Sequence, residues 1–282
     1  MWPHFFWLFW RNGYRLLQVD VKTHKLTIEG LGIDRPVELS VEQLKKNYRP
    51  VSVTSVVQCA GNRRADMNDY KKTQGLLWKG TAISNAEWTG VRLRDLLLLA
   101  GVDPNDQRIK HVHLEGADVD ATGQCYGASI TFQKAMSPET IIAYSMNGTD
   151  IPPDHGAPLR CVVPGVVGAR QVKWLKTIRL SDVESPRRFP PGVGFADKLD
   201  WNSVPSIQEY PVQSAFCIPA PGTKVERAEG TIDVAGYAWS GGGRGIIRVE
   251  QDLEHMWAWT FFRTSVKIPD GVDKVELSGE SN

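Results

Sequence analysis

From position 25 onward the chain is cut by Gly, Pro, Asn and Asp into short apolar runs rich in Val, Ile and Thr, few of them long enough for a helix. That punctuation predicts a mixed α+β fold dominated by short strands. The runs 25–30 (KLTIEG) and 51–58 (VSVTSVVQ) are partly alternating and read as strands, as do 111–115, 126–132, 140–145, 159–163 and 172–180. Only 91–100 (VRLRDLLLLA) spaces its leucines as a helix does, and it meets Gly101 where such a helix should stop. The Asn147–Gly148 step marks a turn.

Between 185 and 205 the text changes to SPRRFPPGVGFADKLDWNSVP, proline-rich and without periodicity. It predicts a connection lying on the surface of the first unit. A second unit then starts near Ser206, with strand-like runs at 212–216, 231–237, 246–250 and 257–263 spaced as in an immunoglobulin-like sandwich. Only about 75 residues remain for it, against ~100 in a complete sandwich, so one or more strands should be missing. The glycine-rich WSGGGR at 239–244 reads as a hairpin connection.

At 282 residues and 41 % hydrophobic, the chain can build a proper core. Its 33 basic residues against 32 acidic leave a formal net charge of +1, which gives no reason to expect nucleic acid or acidic lipid as a partner. Four cysteines, Cys59, Cys125, Cys161 and Cys217, lie far apart with no C-x-x-C pair, and read as reduced, separate thiols rather than a zinc site or disulfide framework. The opening MWPHFFWLFW is apolar but too short for a membrane span and lacks the marks of a signal peptide.

Within VVQCAGNRRADMN at 56–68, Cys59 stands where a strand runs out, followed by Gly61 and the pair Arg63–Arg64. Cationic neighbours lower a thiol's pKa, a thiolate suits a soft metal, and a guanidinium fork suits a tetrahedral oxyanion. By residue type alone a buried cysteine beside solvated arginines is the better fit. The GVVGAR run at 165–170 lacks both the G-x-G-x-x-G spacing and a Walker lysine, which argues against a dinucleotide site.

CAGNRR at 59–64 is followed by GLLWKGTAISNAEWTGVRL at 75–93, EGADVDATGQCYGASI at 115–130, DHGAPLRCVVPGVVGARQVKWL at 154–175 and PSIQEYPVQSA at 205–215. In that order these blocks resemble the sulfite oxidase family, over roughly 14–248. The resemblance implies an α+β molybdopterin-binding domain at 14–184, a connecting segment at 185–205 and a partial immunoglobulin-like dimerisation domain at 206–282. It implies Cys59 as the thiolate ligand of molybdenum, beside the dithiolene sulfurs of the pyranopterin. Arg64 and Trp78 match positions of the substrate-anion pocket. Asp118, His155, Arg160 and the backbone of the segment Gln171, Val172 and Lys173 match positions that hold the cofactor. Asp and His suit ring donors and acceptors, and Arg and Lys suit a phosphate.

The resemblance is incomplete at both ends. Of the family's arginine–asparagine–histidine motif only Arg11–Asn12 stands here, making Arg11 the equivalent of a further substrate arginine. No tyrosine occurs between Tyr144 and Tyr210, where the pocket tyrosine should fall. After Val249 the family's next strands give way to QDLEHMWAWTFFR, and no haem segment is present, which reads as a truncated product. The implied activity is oxidation of sulfite to sulfate by oxygen-atom transfer, with electrons passed to an external acceptor such as a cytochrome. A homodimer is implied, with no haem in the chain. The mitochondrial intermembrane space is the implied location, or the cytosol if no presequence is supplied. The rival expectations are a nitrate reductase-type molybdenum domain and a catalytically defective form serving as a binding or dimerisation module.

Overall fold

The computed structural model describes residues 17–73, 75–120, 123–186, 206–220, 222–224, 230–241, 256–272 and 274–277. Thirteen strands are formed among them: β1 Lys25–Gly30, β2 Val37–Ser40, β3 Val51–Gln58, β4 Ile83–Arg92, β5 His111–Val119, β6 Cys125–Thr131, β7 Ile141–Met146, β8 Thr149–Asp150, β9 Arg160–Val162, β10 Leu175–Ser181, β11 Val212–Ile218, β12 Thr231–Ser240 and β13 Thr260–Lys267. Short helices cover Val41–Asn47, Arg64–Met67, Leu93–Leu99 and Phe132–Ala135, with single 3-10 turns at Pro153–His155 and Gly168–Arg170. The strand-rich α+β class is the one the punctuation predicts.

Three sheets result. The first runs β2-β1-β10-β5-β6, parallel only between β1 and β10. The second runs β3-β4-β7-β8, with β9 also paired to β7. The third, β11-β12-β13, is antiparallel and built entirely from the carboxy-terminal part, as one face of a sandwich would be. One apolar core gathers Leu26, Ile28, Leu114, Ile130 and Ile178 from the first sheet with Leu44, Leu93, Leu96 and Leu97 from the helices. A second packs Val53, Val57, Trp88, Ile141 and Val162 under β3 and β4, and a third joins Val56 and Val167 to Tyr210, Tyr237 and Trp239. That third cluster is the seam between the carboxy-terminal sheet and the rest.

Several boundaries depart from the sequence expectation. The helix begins at Leu93 rather than 91, because Val91 and Arg92 finish β4 and pair with Ile142 and Ile141. β10 begins at Leu175 rather than 172, because Trp174 takes a left-handed φ of 48° that no strand tolerates. Phe132 opens a helix capped by Thr131, whose side chain accepts from the Lys134 N–H. Trp257 leaves the strand expected at 257–263, which starts at Thr260, and bridges Ser55 of β3 instead. Ser185, expected on the surface, is 1 % exposed and donates its N–H to Ser129 Oγ at 3.0 Å. The Asn147–Gly148 turn forms as expected, with φ of 51° and 77°. The expected strand at 246–250 and nearly all of 185–205 lie outside the described residues.

Candidate functional site

β3 delivers Cys59 to the head of a loop at the edge of the second sheet. The Cys59 N–H still pairs inward, donating to Ala82 O at 3.0 Å, and Cys59 O accepts from the Asn62 N–H at 2.9 Å. The next residues turn back on themselves through Arg63, whose φ of 62° is left-handed, into the single helical turn Arg64–Met67. A second segment lies antiparallel to them: the Arg63 N–H donates to Lys79 O at 3.1 Å and the Ala65 N–H to Trp78 O at 2.9 Å. Cys59, Arg64 and Trp78, scattered over twenty positions, are thereby brought into one hydrogen-bonded loop pair, each of them half-buried.

The Arg64 guanidinium threads between two glycines. A Cβ on Gly61 or Gly75 would stand 2.6 or 2.7 Å from a guanidinium nitrogen, so neither position admits a side chain with Arg64 where it is. One of its five N–H donors goes to Leu76 O at 3.0 Å. The other arginine turns away: Arg63 is exposed, paired to Asp66 at 2.8 Å and donating to Ser214 O at 3.0 Å.

Burial pushes the Cys59 thiol up from its ordinary pKa, against a weaker downward pull from the Gly61 N–H and Arg64. This reverses the expectation that the adjacent arginines would make a thiolate. A bound metal cation acts in the opposite direction, as metal ions do on coordinating thiols. Of the other thiols, Cys161 is buried and pushed up to about 12, Cys125 is half-buried and Cys217 exposed, and all four cysteines are free.

Asp118, His155, Arg160 and Lys173 meet in a second cluster. Asp118 lies one residue before the end of β5 and is 3 % exposed, and neither of its carboxylate oxygens has a hydrogen-bond partner. Burial lifts it to about 6. Arg160, 4 % exposed, opens β9; it donates to His155 O at 3.0 Å and Gln171 O at 3.2 Å and lies 4.6 Å over the Trp88 ring, with Nε left buried and unpaired. Lys173 donates to Asp154 O at 2.7 Å and is pulled down to about 7, chiefly by burial and then by Arg160. Burial also lowers His155, which stands 3.8 Å from Asp154.

Buried polar atoms without partners cost ~1–3 kcal/mol each, so Asp118 and Arg160 mark a place built for a polar occupant. Close backbone at Gly116, where a Cβ would strike Asp118 and the Lys173 carbonyl, keeps that place open. A carboxylate, an imidazole and two cations are a donor set that fits a pterin bearing a phosphate.

Gln171 and Val172 serve differently from the rest. The Gln171 side chain spans the bend at 163–171, accepting from the Val163 N–H at 3.4 Å and donating to Val166 O at 3.1 Å. Val172 is 1 % exposed in the main core, its carbonyl taken by the Cys161 N–H. Both side chains are spent on scaffolding, and Lys173 alone of the three presents a charged group. Arg11 lies outside the described residues.

Residues that sequence reasoning passed over hold the two clusters in place. Arg170, 7 % exposed, bonds Ser129 O, Ile207 O and Glu184 and so ties β6 to the start of the carboxy-terminal part. Gln58, Tyr210 and Trp239 meet behind Cys59. Tyr210 lies inside the quoted PSIQEYPVQSA block, but its partner is 152 positions away and no local pattern announces it. Among the described residues no three His, Cys, Asp or Glu side chains converge as a metal site, and no helix is long and apolar enough to cross a membrane.

Comparison with known proteins agrees with this layout. Residues 14–189 match the family model for an oxidoreductase molybdopterin binding domain, and residues 204–255 that for a Mo-co oxidoreductase dimerisation domain. The sulfite oxidase of Gallus gallus is 41 % identical over 292 residues, covering 94 % of this chain and 63 % of the relative. The NADH nitrate reductase of Ulva prolifera is 34 % identical over 270 residues, covering 89 % of this chain but 31 % of the relative. The chain thus spans less than two thirds of the length of either. Among solved structures, the sulfane dehydrogenase SoxCD of Paracoccus pantotrophus superposes with a TM-score of 0.70 at 25 % identity, over 89 % of this chain and 65 % of that one. With its thiol loop, its carboxylate–cation cluster and both family models in register, the chain belongs to the sulfite oxidase family.

Proposed function

We propose that the chain oxidises sulfite to sulfate with a molybdenum–molybdopterin cofactor and hands the electrons to an external acceptor such as a cytochrome. The observation that carries this reading is the loop pair uniting Cys59, Arg64 and Trp78. When bound, the cofactor supplies oxygen-atom transfer and storage of two electrons. Cys59 would be its protein thiolate ligand, where a metal's charge would favour the thiolate against the effect of burial. Asp118, His155, Arg160 and Lys173 hold the pterin and its phosphate, which gives partners to the buried atoms of Asp118 and Arg160. Arg64 binds the sulfite dianion through its fork, and Trp78 narrows the pocket. In a water-poor pocket a fixed cation stabilises moving charge without having to reorient.

Residues 14–184 form the cofactor domain in this reading, 206–282 a dimerisation domain, and two copies associate through it. Mitochondrial placement, as in the relatives named so in mammals, belongs to the same proposal. The nitrate-reducing alternative draws on the Ulva prolifera match, but that match leaves most of the longer relative uncovered. Metal and pterin analysis of the purified chain, followed by sulfite-dependent reduction of an artificial one-electron acceptor, tests the proposal. Molybdenum near one per chain with turnover by sulfite supports it. A metal-free chain, or one oxidised by nitrate and inert to sulfite, refutes it.

A further inference from the structure

Cys59 hangs from an edge strand. Among the described residues β3 pairs only with β4 along its length, so its alternate residues direct N–H and C=O groups away from the sheet. Residues 56 and 58 are two of these, and the partners that complete them come from the carboxy-terminal part of the chain. The Val56 N–H donates to Trp257 O at 3.1 Å. Gln58 O accepts from the Tyr210 hydroxyl at 2.6 Å, and Gln58 Oε1 accepts from Trp239 Nε1 at 2.8 Å. Gln58 is 2 % exposed, Tyr210 8 % and Trp239 2 %, and the last two rings meet edge-on with centroids 5.4 Å apart.

The same sheet reaches past Cys59. Asn62 Nδ2 stands 3.4 Å from the Tyr237 hydroxyl, and Arg63 Nη1 donates to Ser214 O at 3.0 Å. Tyr210 itself is pinned, its N–H donating to Gly165 O at 3.1 Å while the Val167 N–H donates to Gln208 O at 2.9 Å. Gly165 and Gly241 allow that approach: a Cβ on Gly165 would collide with the Gly241 carbonyl, and one on Gly241 with the Tyr210 backbone. Partners on both sides of the thiol, at 58 and at 62–63, thus belong to the carboxy-terminal part of the chain, Trp239, Tyr237 and Ser214 to its sheet and Tyr210 just ahead of it.

We propose that Tyr210 and Trp239, gripping both carbonyls of Gln58, are positioning residues that aim the Cys59 sulfur. The inference rests on the reading of Cys59 as the molybdenum ligand. Partners that orient a metal ligand cost roughly 10–100-fold in metal affinity or activity when removed. A residue bonded to the backbone one position before the ligand acts by the same route.

The test uses the full-length holo chain carrying Tyr210→Phe, Trp239→Phe, Gln58→Leu, Gln58→Leu with Trp239→Phe, and separately Cys59→Ser. Turnover per bound molybdenum and KM for sulfite are measured with an artificial one-electron acceptor. Alkylation of Cys59 by iodoacetamide is followed by peptide mapping after removal of the cofactor, with exposed Cys217 as internal reference. Expected for Tyr210→Phe and Trp239→Phe is a roughly tenfold fall in kcat per molybdenum, an unchanged KM and faster Cys59 alkylation. Gln58→Leu, which leaves the carboxy-terminal sheet untouched, should reproduce Trp239→Phe, and the double variant should be no worse than either because they remove one bond. Wild-type kcat per molybdenum with wild-type alkylation overturns the proposal. Wild-type turnover in Cys59→Ser would instead overturn the ligand assignment. An inactive Cys59→Ser beside an unaltered Tyr210→Phe leaves that assignment standing and removes the clamp alone.

Discussion

The thiol loop and the carboxylate–cation cluster meet the same demand, polar groups held still inside a protein, in opposite ways. Around Cys59 the loop backbone is paired with Ala82, Lys79 and Trp78 on one side, and Gln58 with Tyr210 and Trp239 of the carboxy-terminal part on the other. Around Asp118 and Arg160 buried atoms are left without partners. The first region is finished before any ligand arrives, whereas the second is completed by one. A ligand atom that must point in one direction calls for a rigid frame, and a recognition pocket keeps unpaired donors and acceptors for its guest.

Substitutions should separate the two. The largest effect is expected from Cys59→Ser, with sulfite turnover down by about a hundredfold or more and the unfolding midpoint nearly unmoved, because the half-buried thiol is replaced by a group of similar size. An unfolding midpoint that collapses with activity would show that the loop is not finished on its own.

The next effect belongs to the waiting cluster in the chain stripped of cofactor. Asp118 is lifted from 3.8 to about 6, so between those values the folded chain binds more protons than the unfolded one, and stability falls as pH rises through the window. Lys173 is lowered from 10.5 to about 7, so between those values the folded chain binds fewer protons, and stability climbs as pH rises. These contributions leave a minimum near pH 6–7, with the Asp118 limb worth up to about 3 kcal/mol. Asp118→Asn should abolish that limb, raising stability at pH 7 while weakening cofactor retention, and cofactor should flatten the wild-type curve. Denaturant midpoints across pH check both. A stripped chain whose stability is flat from pH 4 to 6 would mean that Asp118 is not held in an unfinished site.

Arg64→Gln should raise the KM for sulfite by about one to two decades, the worth of roughly 1.5–3 kcal/mol for a charge-assisted contact. Arg35→Gln, on an exposed loop, should leave it unchanged. Arg92, which the sequence places in a helix, is no such control, since it ends β4 and its Nε is buried. Equal effects from Arg64 and Arg35 would remove Arg64 from the pocket. The smallest change is expected remote from both regions. Ser40→Ala breaks the capping box with Gln43 at the helix Val41–Asn47 and should cost about 1 kcal/mol in the denaturant midpoint without altering turnover.

Where local chemistry decides, the sequence was enough. The bounds of β1 and β3 follow from unbroken β-branched runs, the Asn147–Gly148 turn from two residues that accept left-handed φ, and the place of Cys59 from the end of β3. The ordered blocks named the family, and with it the candidate site residues. What the letters could not supply were the partners. β4, with NAEWTG in its middle, reads as no strand at all and exists because β3 and β7 flank it on both sides. Val172 and Gln171 carry motif positions, yet their environments, one in the core and one inside a bend, were set by how the chain folds back on itself at 161–171 and by burial. The pKa of Cys59 is pushed up despite its flanking arginines, because burial outweighs the pull of Arg64 while Arg63 turns away to Ser214. Tyr210 and Trp239 reach Gln58 across 152 and 181 positions. Turn chemistry and residue type are properties of a few adjacent residues, but strand pairing, desolvation and hydrogen-bond completion belong to whatever the folded chain brings alongside, and so only the tertiary structure could decide them.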